Sequence, residues 1–144
     1  RFGVITAPEL PRANQLTRAT PLLAVHGARW PFHTLDAEHS GLVGLETLPD
    51  DNLLVLERRY ISPFHPLIIA LSRVRLFTSP GRNAEQEEIA RFDTTQGWAM
   101  DNFESVARHL GNRYFMISDD NAHPLQHSLL VYFEIVDSTS PAAP

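Results

Sequence analysis

Two stretches of the chain read alike, and this narrows the fold more than any other feature. Gly44-Leu45-Glu46, a turn and Leu53-Leu54-Val55-Leu56-Glu57 match Asn102-Phe103-Glu104, a turn and Tyr114-Phe115-Met116-Ile117-Ser118. Each pair is followed by a loop and a longer apolar stretch. Glu46 and Glu104 stand 58 residues apart. Antiparallel repeats of roughly 40–50 residues are a mark of propellers, and this one is somewhat long. Two unrelated hairpins of a sandwich or barrel are the plainer alternative.

The pattern around these stretches predicts strands throughout. Extended pieces are expected at Phe2–Thr6, Leu22–His26 and Phe32–Leu35, where Pro8, Pro11, Pro21 and Pro31 break any helix. Strands are expected at Leu42–Leu48 and Leu53–Glu57 around a Pro49-Asp50-Asp51-Asn52 turn. Leu67–Phe77, Phe103–Arg108, Arg113–Ser118 and His127–Val136 follow. The polar run Thr78–Glu88 reads as a loop, with one helical turn at Ala84–Ala90. The expected fold class is therefore all-β, a partial β-propeller of two to three antiparallel blades. Residues 1–41 form a proline-rich part of a preceding blade, residues 42–136 two blades and residues 137–144 a frayed tail.

Composition removes several function classes. Cysteine is absent, so disulfides, thiolate metal sites and cysteine nucleophiles are excluded. All twelve basic residues are Arg, which excludes Schiff-base and P-loop lysine chemistry. The net charge of −5 gives no basic footprint for nucleic acid. The longest apolar run, Leu67–Leu71, cannot span a bilayer as a helix. The chain opens on Arg1 with no leader-like segment, as expected of a processed or trimmed product; a missing N-terminal half would look the same.

GLETLPDDNLLVLERRY, Gly44 to Tyr60, and DNFESVARHLGNRYFMISDDNAHPLQHSLLVYFEI, Asp101 to Ile135, resemble the closing blades of the phytase-like, esterase-like family. The resemblance runs from Phe32 to Val136. It departs from the family at Ser105 and at Asp51-Asn52, where glycines are usual. It implies an exported, periplasmic or secreted propeller whose remaining blades come from another segment or chain. It also implies phosphoester hydrolysis through acidic channel residues, with Glu46, Glu104 and Asp120 as the catalytic carboxylates.

Asp101, Asn102, Glu104, Asp119, Asp120 and Asn121 are the densest set of oxygen donors, with Glu46 and Glu57 in the preceding repeat. Converging on a channel, they would suit Ca²⁺ or Mg²⁺, which can polarise a phosphoryl oxygen or activate water. Asp and Asn also cap turns through backbone N–H groups, which is the structural alternative for the same residues. Arg58 and Arg59 could hold a phosphate, or lie in a solvated loop. His123 and His127 have i, i+4 spacing, but Pro124 between them argues against a helical zinc pair. Ser118 lacks the glycines of a nucleophile elbow. These residues are compatible with a metal-assisted hydrolase part, a non-catalytic binding or scaffold propeller, or a self-contained barrel.

Overall fold

The computed structural model describes residues 3–10, 19–78, 83–120, 122 and 126–136. The chain is all-β. The described residues form three antiparallel sheets, with one short 3₁₀ turn at Thr94–Gln96. The first sheet joins β1 (Ile5–Thr6), β2 (Ala19–Ala24) and β3 (Arg29–His33). The second joins β4 (Ser40–Thr47), β5 (Leu53–Arg59), β6 (Ile68–Arg75) and β7 (Glu85–Asp93). The third joins β8 (Phe103–Leu110), β9 (Arg113–Ser118) and β10 (Leu130–Glu134). In every sheet the strands lie side by side in chain order. Such open meanders are compatible with a partial propeller.

Local chemistry sets the hairpins. Asp51 takes φ 62, a left-handed conformation that short polar side chains tolerate. Its N–H donates to the Leu48 carbonyl, and the Leu48 N–H donates to the Asn52 carbonyl. Gly111, at φ 59, turns β8 into β9.

The period of two in β5 then decides how the sheets stack. Leu53 and Val55 point one way, onto Leu22, Trp30 and Phe32 of the first sheet. Leu54 and Leu56 point the other way, onto Phe103, Val106, Tyr114 and Met116 of the third. The second sheet is thus buried on both faces, which explains why Leu53–Glu57 reads as a continuous apolar run ended by one acid. Each fully buried Leu contributes roughly 1.5–3 kcal/mol. Two side chains, through three hydrogen bonds, tie the first sheet to the second. Trp30 Nε1 donates to the Phe77 carbonyl at 3.0 Å, and the Gln86 amide pairs with both backbone groups of His33.

β7 corrects the reading of Ala84–Ala90 as a loop with a helical turn. Glu85 through Asp93 pair with β6 along their whole length. The run Glu85-Gln86-Glu87-Glu88 reads as a loop because it is polar, but β7 is an outer strand. An outer strand needs charge on its open side to resist stray pairing.

The second and third sheets repeat one another in register. Leu42 pairs with Glu57 as Phe103 pairs with Ser118, and Gly44 pairs with Leu56 as Ser105 pairs with Ile117. Both first strands bulge at the same place, at Val43 and at Glu104. The equivalence is 61 residues throughout, from 42 to 103 and from 57 to 118. Matching Glu46 to Glu104 would need a three-residue gap that the strands do not have. The counterpart of Glu46 is Ala107, and the counterpart of Glu104 is Val43.

Candidate functional site

The first strands of the second and third sheets run side by side in the same direction. A Cβ on Gly44 would lie 3.0 Å from Val106 Cγ1, and the Arg108 N–H donates to Glu46 Oε2 at 2.9 Å. The segment after β1 meets the start of β4, where the Leu42 N–H donates to the Glu9 carbonyl at 2.9 Å. All three sheets therefore approach one another at the start of β4 and β8. Arg58, near the end of β5, sits at this junction.

Arg58 is held by each neighbour. Its Nη1 donates to Asn102 Oδ1 and lies 3.6 Å from Glu104 Oε1, while Nη2 donates to Glu9 Oε1 at 3.1 Å. Asn102 Nδ2 donates to Glu104 Oε1 at 2.5 Å. The guanidinium lies among the oxygen donors that a divalent cation would need. Two positive centres among three oxygens repel, so this donor set does not fit Ca²⁺ or Mg²⁺ while Arg58 is in place.

The structure brings Glu104 and Asn102 to Arg58, with Asp101 and Asp119 adjoining through the backbone. Asp101 accepts from the Asn102 N–H at 2.7 Å and from the His127 N–H at 2.6 Å, which anchors the approach to β10. The Asp119 N–H donates to the Asn102 carbonyl at 3.2 Å. Asp120 accepts from the Ala122 N–H at 2.9 Å in its own turn. Glu46 stands apart. It is beside Arg108, four residues along β8 from Glu104 and so about 13 Å away on an extended strand. Its other oxygen accepts from the Thr47 N–H at 2.6 Å. Asn121 and His123 lie outside the described residues. Among the described residues, no three His, Asp or Glu side chains group to hold a metal.

Glu57 and Arg58 point to opposite faces of β5 and do not pair. Glu57 is buried against the first sheet, where it accepts from the Leu35 N–H at 2.6 Å and from the Ser40 hydroxyl. Burial pushes its carboxyl above the ordinary value, against the pull of those two donors. The folded chain therefore binds this proton more tightly than the unfolded chain does. The stability that Glu57 gives is fully present below its ordinary pKa and is lost as pH rises through the raised one. Glu57→Gln keeps an acceptor for Leu35 and removes that loss. Its melting temperature should exceed that of the parent at pH 8, with the difference closing towards pH 4 in a series of thermal melts.

Arg59 is committed to Asp36 at 3.2 Å. The Glu38 N–H, then Arg59 and His39, hold the Asp36 carboxyl down to about 2 against the opposing effect of burial. Glu9 and Asp36, which organise the two arginines, were not singled out from the sequence. Each lies more than twenty residues from its arginine, so no local spacing marks it. A separate groove of about 630 Å³ opens between β7 and β10, lined by Arg73, Glu87, Ile89, Phe92 and Phe133. It lies at the outer strands, away from Arg58.

A family model described as phytase-like, esterase-like activity of phytase, matches residues 3–122. The match reaches back through the first sheet, well before Phe32, where the resemblance in the sequence begins. No curated protein and no solved structure matches the chain.

Proposed function

The chain belongs to the phytase-like family, and on that premise we propose that its sheets are consecutive blades of an exported β-propeller in which this portion is framework rather than reaction centre. One observation carries the reading: the carboxylates that would do the chemistry are bonded to backbone N–H groups and arginine. Glu46 joins β4 to β8, Asp101 anchors the approach to β10, and Glu104 with Arg58 closes the junction of three sheets. Bonds of this kind fix how one blade sits on the next. They leave few lone pairs directed at a common point where a reacting atom would lie.

The family description favours a second reading, in which the completed propeller hydrolyses a phosphoester or related ester. Glu46, Glu104 and Asp120 would then act on substrate with a divalent cation, and Arg58 or Arg59 would hold the phosphate. For Glu104 that requires Arg58 to leave the junction.

The two readings separate in one assay, run on the assembled protein with p-nitrophenyl phosphate and p-nitrophenyl acetate, with and without Ca²⁺. Under the framework reading, Glu46→Gln, Glu104→Gln and Asp120→Asn together change any turnover by no more than about twofold. Their effect appears instead as a lower melting temperature, since each lost charge-assisted bond costs on the order of 1 kcal/mol at these partly exposed positions. A loss of a hundredfold or more with the melting temperature unchanged would establish the hydrolytic site.

A further inference from the structure

The side chain of Arg58 is 20% exposed, and its guanidinium stands where oxygens from both neighbouring sheets converge. Glu9 reaches it from the segment after β1, and Asn102 and Glu104 reach it from the start of β8. The seat is shaped for these donors. β4 pairs Gly41 with Arg58, and a Cβ on Gly41 would lie 3.3 Å from both Glu9 Cγ and the Glu9 carbonyl oxygen. Only a residue without a side chain lets Glu9 lie this close to β4, beside the arginine. Asn102 is oriented from its far side: its Nδ2 donates to Glu104, which turns Oδ1 towards Arg58. The 61-residue offset, carried one residue on, sets Asn102 against Gly41 and Asp119 against Arg58. The third sheet therefore has an amide and an acid where the second has a glycine and a cation. The positive charge is particular to this junction rather than a feature of the repeat.

We propose that the Arg58 guanidinium is a built-in cation standing in place of a bound metal, and that removing it leaves a calcium site made of Glu9, Asn102 and Glu104. This rests on the framework reading and adds what the junction needs in order to close. Two carboxylates brought together without a cation repel each other, so the three sheets can meet here only round a positive centre. A guanidinium meets that need with a planar fork of N–H donors that the chain itself carries and that stays charged at any ordinary pH. Ca²⁺ would meet the same need through oxygens alone. With both carboxylates bidentate, Glu9, Glu104 and the Asn102 amide offer about five oxygens of the six to eight that Ca²⁺ takes, and water supplies the rest. The parent junction is accordingly indifferent to calcium and to chelators.

Arg58→Met keeps the stem and drops the charge. Thermal melts of the full chain, at one ionic strength, are run in EDTA and in about 10 mM CaCl2. The parent should melt at the same temperature in both. Arg58→Met should melt below the parent in EDTA and recover by roughly 3–6 °C in Ca²⁺, as for a dissociation constant on the order of 10⁻³ M. Adding Glu104→Gln to Arg58→Met restores the parent's net charge. The double variant should lose the Ca²⁺ response and, in EDTA, melt above Arg58→Met alone, because one unpaired carboxylate is gone. Equilibrium dialysis against radiolabelled Ca²⁺ should find a bound ion in Arg58→Met that the parent lacks. If Arg58→Met melts with the parent in EDTA, no cation is needed and the proposal is overturned. A rise in Ca²⁺ shared by the parent and both variants also overturns it, since calcium then binds surface acids only. So does an Arg58→Met that melts lower and ignores Ca²⁺, which leaves Arg58 a packing role. Where Arg58→Met does not fold in EDTA, circular dichroism on adding Ca²⁺ decides: return of the strand signal supports the site and its absence overturns it. The ester assay reads turnover and these melts do not, so failure of one is distinguishable from failure of the other.

Discussion

Phe103→Ala is expected to lower stability by about 3–5 kcal/mol, the largest loss from any single truncation at the contact of the second and third sheets. Phe103 opens β8, is fully buried, and packs with Leu54, Leu56, Ile69 and Leu71 of the second sheet and with Tyr114 and Met116 of its own. Its N–H donates to the Asp101 carbonyl, so the backbone is pinned where the ring is anchored and cannot move in to fill the void. Against a typical total of about 5–15 kcal/mol, a loss of this size should release the third sheet before the rest. Urea unfolding gives the magnitude, and amide exchange gives the location. Protection should fall most in β8 and β9 and least in β2 and β3. A uniform fall would mean that the sheets unfold only together.

Gly44→Val is expected to cost about 3 kcal/mol, by the opposite mechanism. A side chain there meets Val106 N at 3.1 Å and Leu56 Cβ at 3.2 Å, and neither the backbone nor a Cβ can swing aside. The strands must separate, and the Arg108 bond to Glu46 two residues along stretches with them. Ser105→Val at the equivalent position is the internal control. Ser105 is exposed in this chain, and valine suits a strand, so the change should alter stability by less than about 0.5 kcal/mol. The same pair of variants in chemical denaturation thus reports whether close approach at Gly44, rather than strand preference, sets the effect. If Ser105→Val costs as much as Gly44→Val, the third sheet is already covered on its outer face.

Much of this architecture was legible in the residues. Alternation and turn chemistry placed β4, β5, β8 and β9 to within two or three residues, because each lies between turns whose residues have one main use. The all-β class and the likeness of the two hairpins followed from the same pattern. The run Leu53–Glu57 was legible as a strand, but that it is buried between two sheets appears only once Leu53 and Val55 are seen on the first and Leu54 and Leu56 on the third. What local pattern could not decide was anything set by an outer strand or by partners far along the chain. β7 is not legible in the sequence, because charge on an outer strand and charge in a loop look the same until β6 stands beside it.

The candidate site shows the same division more sharply. The order of residues alone says which of them carry charge, that no thiol or lysine chemistry is available, and that acids and amides concentrate around Asp101–Asn102 and Asp119–Asp120. What those groups do is set by how the sheets pack. The shared bulge left Glu104 out of the ladder register beside Phe103, and the 61-residue offset separated it from Glu46. Arg58 reached Glu9 and Asn102 across 49 and 44 residues. Hydrogen bonds and ion pairs act only over a short reach. A carboxylate is a metal ligand, a cap or half of an ion pair according to what stands within about 4 Å of it, and that distance is set by sheet stacking rather than by sequence spacing.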